Sequence, residues 1–351
     1  MKKHQLLLGL IVLAALAALI AGESHRIHFS FAVFRDQVAL ADWRTIALAT
    51  GCIYAGLLFR AVRWALLMQH NKKVPLFSLL SCQFIGFTAV ALIGRVADPV
   101  RPYLVAKKTG EPLSTQLAVY IVERLCDFGS LAIIFSSAII LAPQGALPAP
   151  EIVRKAGYGG LAITVLAGIL LFAVRLGGEA VAAFFEGAFG LVSKKLGEAV
   201  GQKIRSFRTG LDIMRSFSDF AVAATLSLSM WALITLAYLE TIRSFTASPV
   251  LSRMDLSGCI VVLAFSGSVS ALQLPIVGWF SQIAFVAAAI ATLFSATPEA
   301  STACAAMLLL VTFLSVTPAG LLWAHFARVS LRKVTIESEH AEQNLAAADY
   351  H

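Results

Sequence analysis

From Gln5 to Phe326 the sequence returns repeatedly to apolar runs close to the length of about 20 residues that crosses a hydrocarbon core about 30 Å thick. A chain with so many of them cannot bury them all in a water-soluble core. The remaining solution is a bundle that presents them to lipid, with every backbone polar group satisfied inside a helix. Composition agrees: the 351 residues are 58% hydrophobic and 14% charged, against about 45–50% and 25% in a soluble domain. The expected fold class is all-α, a polytopic membrane helix bundle with about six full spans and two re-entrant hairpins in inverted-repeat arrangement.

The basic residues report topology. Net charge +8 would suggest nucleic acid in a soluble protein, but here lysines and arginines sit at the ends of apolar runs and form no stripe on a folded domain. Met1-Lys-Lys before Gln5–Gly22 resembles a secretory signal; the long apolar run, followed by more membrane sequence, favours an uncleaved first helix. Trp43–Met68 returns with Arg60, Arg63 and Trp64 at its inner end, beside Lys72 and Lys73, as snorkelling cations and an interfacial aromatic. The five cysteines are scattered through apolar segments and read as small buried hydrophobes. No cofactor or metal is expected.

Parity decides the next segment. If Pro75–Leu92 crossed fully, Lys194, Lys195, Lys203, Arg205, Arg208 and Arg215 would all lie outside, against the positive-inside rule. Pro75–Lys108 is therefore read as a hairpin entering from the cytoplasm, with Gly94, Pro99 and Pro102 breaking the helix. Ser114–Leu141 then goes out, Pro143–Lys155 is an external loop, and Gly157–Leu176 returns. Gly178–Ser218 alternates Phe184, Phe185, Phe189, Leu191, Val192, Leu196, Val200 and Ile204 with basic residues, a pattern for an amphipathic cytoplasmic helix on an anionic leaflet or packed under the bundle. After Phe220–Leu239, a second hairpin spans Leu256–Phe294 and turns at Pro275 and Gly278 near Trp279. Thr302–Phe326 returns, and 331–351 is read as a disordered cytoplasmic tail after an integral domain of 1–330. This threading places both termini in the cytoplasm, with 18 of the 28 lysines and arginines on that side.

Two places concentrate charge at membrane depth: Arg95, Asp98 and Arg101 in the first hairpin, and Glu123, Arg124 and Asp127 in the helix after it. At about 2.5–3.5 kcal/mol each, six unpaired charges would cost about 15–20 kcal/mol. Three positive and three negative groups neutralise one another, and Glu123 and Asp127, four apart, share one helix face. One reading is a purely structural ion network pinning the hairpin. The other is an anion site, because the arginine fork binds phosphate bidentately and a lipid phosphate would compete with Asp98, Glu123 and Asp127. In the second hairpin, serines and Gln282 are either polar contacts to a substrate or ordinary helix-packing glue.

The segments GRVADPVRPYLV, VERLCD and LPIVGW resemble the flippase-like family built around the lysylphosphatidylglycerol synthase transmembrane region. Its first motif is usually P-G-R-x-G-E-x-x-R. Gly94, Arg95 and Arg101 match it, while Ile93, Ala97 and Asp98 replace its proline, second glycine and glutamate. Glu123, Arg124 and Asp127 match the second motif, E-R-x-x-D, and Arg63 and Trp64 resemble an early arginine-tryptophan pair. The third motif commonly continues into a glutamate, where this chain offers only Gln282.

The resemblance implies a bacterial inner-membrane domain that moves or handles anionic phospholipids or polyprenyl-phosphate-linked lipids, and the charge pattern and hairpins make Arg95, Asp98, Arg101, Glu123, Arg124, Asp127 and Gln282 the candidate substrate-binding residues. The given chain carries no soluble aminoacyl-transferase domain, so lysylphosphatidylglycerol synthesis is not expected. Two alternatives stand beside it: a membrane-embedded lipid-modifying transferase using one of the carboxylates as base, or an accessory subunit of a lipid-modifying enzyme. The sequence has no G-x-S-x-G, H-E-x-x-H or glycine-rich nucleotide loop.

Overall fold

The computed structural model describes residues 29–68, 73–140, 142, 150–191, 193–211, 217–270 and 277–348. The predicted first helix Gln5–Gly22 and Pro275 lie outside them. The described elements are helical throughout: α1 Phe31–Ala39, α2 Trp43–Met68, α3 Leu76–Ile93, α4 Val100–Thr109, α5 Leu113–Ile140, α6 Pro150–Gly190, α7 Lys194–Leu211, α8 Phe217–Arg243, the single turn α9 Pro249–Ser252, α10 Leu256–Ser270, α11 Val277–Phe294, α12 Pro298–Leu309, α13 Val316–Phe326 and α14 Leu331–Ala348. The chain is a polytopic helical membrane bundle. Among the described residues, four stretches are long and apolar enough to cross a membrane: Trp43–Met68, Leu76–Ile93, Ser218–Arg243 and Pro298–Phe326. Helix α5 is as long as these, but every span-length window of it contains Glu123, Arg124 and Asp127. Ile121, Phe128, Ile163, Leu166, Leu228, Leu236 and Phe285 are turned outward, a surface that only lipid or another apolar partner stabilises.

Helices α2 and α8 form the central pair. Ala49, Cys52, Ile53 and Leu57 join Ala237, Tyr238 and Ile242 in one buried cluster with α10–α13. A second cluster gathers Ala61, Trp64 and Met68 of α2, Leu79, Ile85 and Ala89 of α3, Val100 and Leu104 of α4, and Val119 and Val122 of α5.

Helices α3 and α4 form a helical hairpin. Gly94 ends α3 at φ 94°, a conformation open to glycine and strained for a side chain. A short 3-10 turn, Arg95–Ala97, and Pro99 at φ −68° then start α4, which Gly110 caps at φ 72°. Antiparallel packing is fixed by Lys108 Nζ donating to Ser81 Oγ at 2.5 Å and Arg101 to Gln83 Oε1 at 3.1 Å. Helices α10 and α11 pair in the same sense, through Gln282 to Ser266 at 3.0 Å and the Phe265 and Phe285 rings. The two hairpins meet where the first one breaks: Trp279 Nε1 donates 2.9 Å to the carbonyl of Ala91, in the last turn of α3. That turn ends the helix, where carbonyls run out of helical donors, and the indole supplies one to Ala91.

Three elements depart from the sequence reading. Residues 331–348 form helix α14 instead of a disordered tail: Val334, Thr335 and Ser338 are buried along one face, and Glu337 accepts from the Tyr103 hydroxyl at 3.0 Å beside Lys107 at 3.8 Å. The acidic composition that suggested disorder complements the basic end of α4. The helix predicted to begin at Gly157 starts at Pro150 and runs on past a kink at Gly177. The basic amphipathic segment is a helical hairpin of the α6 end and α7, closed by Arg205 to Glu179 at 3.1 Å and Glu186 at 3.0 Å. Phe184, Phe189 and Leu191 project from it, while Val200 and Ile204 are half-buried.

Candidate functional site

Helices α2 and α5 run antiparallel and bring four ionisable residues face to face. Arg60 lies eight residues from the end of α2 and Glu123 ten from the start of α5, placing both about 12–15 Å from the same end of the bundle. Arg60 and Arg63 occupy one face of α2 at a spacing of three; Glu123 and Asp127 occupy one face of α5 at a spacing of four. Arg60 Nη1 donates to Glu123 Oε1 at 2.6 Å and Asp127 Oδ2 at 3.2 Å, and Arg63 Nη1 to Asp127 Oδ1 at 2.6 Å. Arg63 also bonds Ser227 of α8, tying the central pair to the cluster.

The hairpin supplies a third arginine. Arg101, in the first turn of α4, donates 3.0 Å to Glu123 Oε1. Its stem crosses α3 at Gly86, where a Cβ would stand 2.0 Å from Arg101 Cγ, so the absence of a side chain at position 86 is what admits it. Arg124 completes the set, at 2.5 Å from Glu123 Oε1 and 2.9 Å from Asp127 Oδ2. A single carboxylate oxygen thus accepts from three guanidiniums, with Arg63 Nη2 a further 3.4 Å away. Aromatic rings wall the cluster: Phe87 lies 5.0 Å from the guanidinium carbons of both Arg60 and Arg101, and Tyr120 5.2 Å from those of Arg101 and Arg124. The Trp64 indole donates 3.1 Å to Gln116 behind them.

Of the residues singled out in the sequence, Arg101, Glu123, Arg124 and Asp127 come together. Arg95 and Asp98 do not join them. They pair with each other at 3.6 Å on the exposed turn, with side chains 42% and 27% exposed, whereas those of Arg60, Arg63, Arg101, Glu123 and Asp127 are at most 7% exposed. The physical reason is helical geometry: Arg95 and Asp98 precede α4 and follow the turn outward, while Arg101 is inside α4 and faces α3. Gln282 belongs to another group, bonded to Ser266, whose hydroxyl lies 2.8 Å from Tyr238. Pro99 and Pro102 open α4, and Gly278 and Trp279 open α11.

Sequence reasoning placed Arg60 and Arg63 at the membrane interface and so missed both. The signal was present: Ala65, Leu66, Leu67 and Met68 continue the helix beyond them, and two arginines three apart inside an apolar helix need acceptors. With this exchange the cluster is no longer neutral. Four guanidiniums face two carboxylates.

No curated protein and no solved structure matches the chain. A family model does, that of the lysylphosphatidylglycerol synthase TM region, over residues 6–320, which takes in the α2–α5 cluster and both hairpins. The chain therefore belongs to the lysylphosphatidylglycerol synthase transmembrane-region family of multi-pass membrane proteins, related to lipid modification or transport.

Proposed function

We propose that this protein moves anionic lipids between leaflets of a bacterial cytoplasmic membrane, with the headgroup phosphate held by Arg60, Arg63, Arg101 and Arg124. The observation that carries this reading is the position of Arg124. Its side chain is 28% exposed, the largest opening in the cluster, and it emerges on the α5 face that also exposes Ile121 and Phe128. Residues 121, 124 and 128 lie one above another on a helix. A ligand reaching the arginines there approaches sideways from the bilayer, its acyl chains remaining against Ile121 and Phe128 while its phosphate exchanges for carboxylate contacts.

In this reading Glu123 and Asp127 hold the guanidiniums until a phosphate displaces them, which gives two states of the same network. The α3–α4 and α10–α11 hairpins are re-entrant and form the inverted pair of gates, and the Trp279 contact to Ala91 is where one senses the other. The positive-inside bias sets the Met68–Leu113 end towards the cytoplasm.

Native mass spectrometry of the purified protein beside Arg101→Ala tests the site. A specific anionic lipid retained by the unmutated protein, and lost from the variant by about tenfold or more in affinity, is the expected result. Equal lipid on both removes the arginines from the binding site and leaves them a structural network.

A further inference from the structure

Charge and donor bookkeeping at this cluster narrows the ligand further, on the assumption that the cluster is the lipid site. The groups facing the bound position are Arg60 and Arg63 from α2, Arg101 from α4, Glu123, Arg124 and Asp127 from α5, with Gln83 from α3 and Ser227 from α8 as neutral partners and Tyr120 and Cys126 beside them. Among these described residues the formal excess is two positive charges. Aromatic faces at Phe87, Trp64 and Tyr120 attract the guanidiniums without neutralising them.

Within the cluster, the hydrogen bonds left unmade have one sign. Arg63 Nε and Nη2, Arg124 Nε and Gln83 Nε2 are buried atoms without a hydrogen-bond partner, and all four are donors. A buried donor left unmade costs about 1–3 kcal/mol, so a ligand that accepts from several of them is favoured beyond simple ion pairing. Arg63 and Gln83 are each at most 1% exposed, so these donors are held inside the packed cluster.

We infer that the preferred ligand is a lipid phosphomonoester, with a terminal phosphate carrying two negative charges and three anionic oxygens. Phosphatidate and prenyl monophosphates have this chemistry. A phosphodiester such as phosphatidylglycerol carries one charge and two free oxygens, and leaves half of the excess uncompensated. The selection is charge-based, so it depends on the second ionisation of the phosphate, near pH 6. Above that pH the monoester matches the cluster; below it, monoester and diester carry the same charge.

The test uses the full chain in detergent, with binding of dioleoyl phosphatidate, dioleoyl phosphatidylglycerol, dioleoyl phosphatidylcholine and inorganic phosphate each measured at pH 8.5 and pH 5. Phosphatidate is expected to bind about tenfold tighter than phosphatidylglycerol at the higher pH, a difference of about 1.4 kcal/mol, with the advantage largely gone at the lower pH. Arg60→Gln, which halves the charge excess, is expected to weaken phosphatidate more than phosphatidylglycerol and so to erase the preference between them. Phosphatidylglycerol equal to phosphatidate at pH 8.5, both above phosphatidylcholine, overturns the monoester selection and leaves the lipid site standing. No anionic lipid exceeding phosphatidylcholine overturns the lipid site itself. Inorganic phosphate competing as strongly as phosphatidate makes the ligand a soluble anion and overturns both.

Discussion

Glu123→Gln is expected to be the most destabilising single substitution in the cluster, costing about 3–5 kcal/mol, the range for breaking a buried pair from one side. Glu123 Oε1 accepts from Arg60 at 2.6 Å, Arg101 at 3.0 Å and Arg124 at 2.5 Å, so it joins three helices, α2, α4 and α5, through one atom. A glutamine keeps the shape and can still accept, but removes the charge and leaves four guanidiniums against Asp127 alone. Low dielectric raises the consequence, because no other carboxylate among the described residues pairs with these guanidiniums. Thermal unfolding of the purified protein measures it. The double variant Glu123→Gln with Arg60→Gln restores the original excess and is expected to recover much of the loss. A Glu123→Gln variant that melts with the unmutated protein would show that the carboxylate does not hold the helices together.

Gly86→Ala separates binding from folding. The new methyl would lie 2.0 Å from Arg101 Cγ and 2.9 Å from Cδ, both on the stem of the side chain, so Arg101 must leave its path across α3 or α4 must back away. Overpacking of this size costs about 1–3 kcal/mol. Retention of anionic lipid is expected to fall as far as in Arg101→Ala, although no charged residue has been touched. Adding Arg101→Ala removes the obstructing stem. The double variant should therefore regain thermal stability but not lipid. Unchanged lipid retention in Gly86→Ala would mean that Arg101 does not need this route to the ligand.

Much of this arrangement could be read from the sequence because membranes make charge and helix breaks conspicuous. The apolar runs announced the bundle. Glu123 and Asp127, four apart in an otherwise apolar helix, announced a buried face that needed cations. Gly94 with Pro99 announced the break between α3 and α4, since the one tolerates φ 94° and the other starts a helix without needing its own N–H. The identity of the cations was less legible. Arg95, Asp98 and Arg101 are close in sequence, but the turn at 95–97 sends the first two outward and only the third inward. Arg60 and Arg63 had a sufficient local explanation as snorkelling residues, and only the antiparallel register of α2 against α5 shows them opposite Glu123 and Asp127. The glycine slot at position 86 is likewise invisible without knowing what crosses it. Helix α14 was obscured because its buried face is short, resting on Val334, Thr335 and Ser338 with Glu337 beside Tyr103 and Lys107.

Lipid movement in reconstituted vesicles is the most direct measurement. The unmutated protein, Arg101→Ala and protein-free vesicles are compared for the rate at which a labelled anionic lipid becomes accessible from the opposite leaflet. The arginine cluster as the headgroup site predicts rapid exchange with the unmutated protein and a fall to the protein-free rate in Arg101→Ala. Exchange by the variant at the unmutated rate, or none above background with either protein, would contradict it.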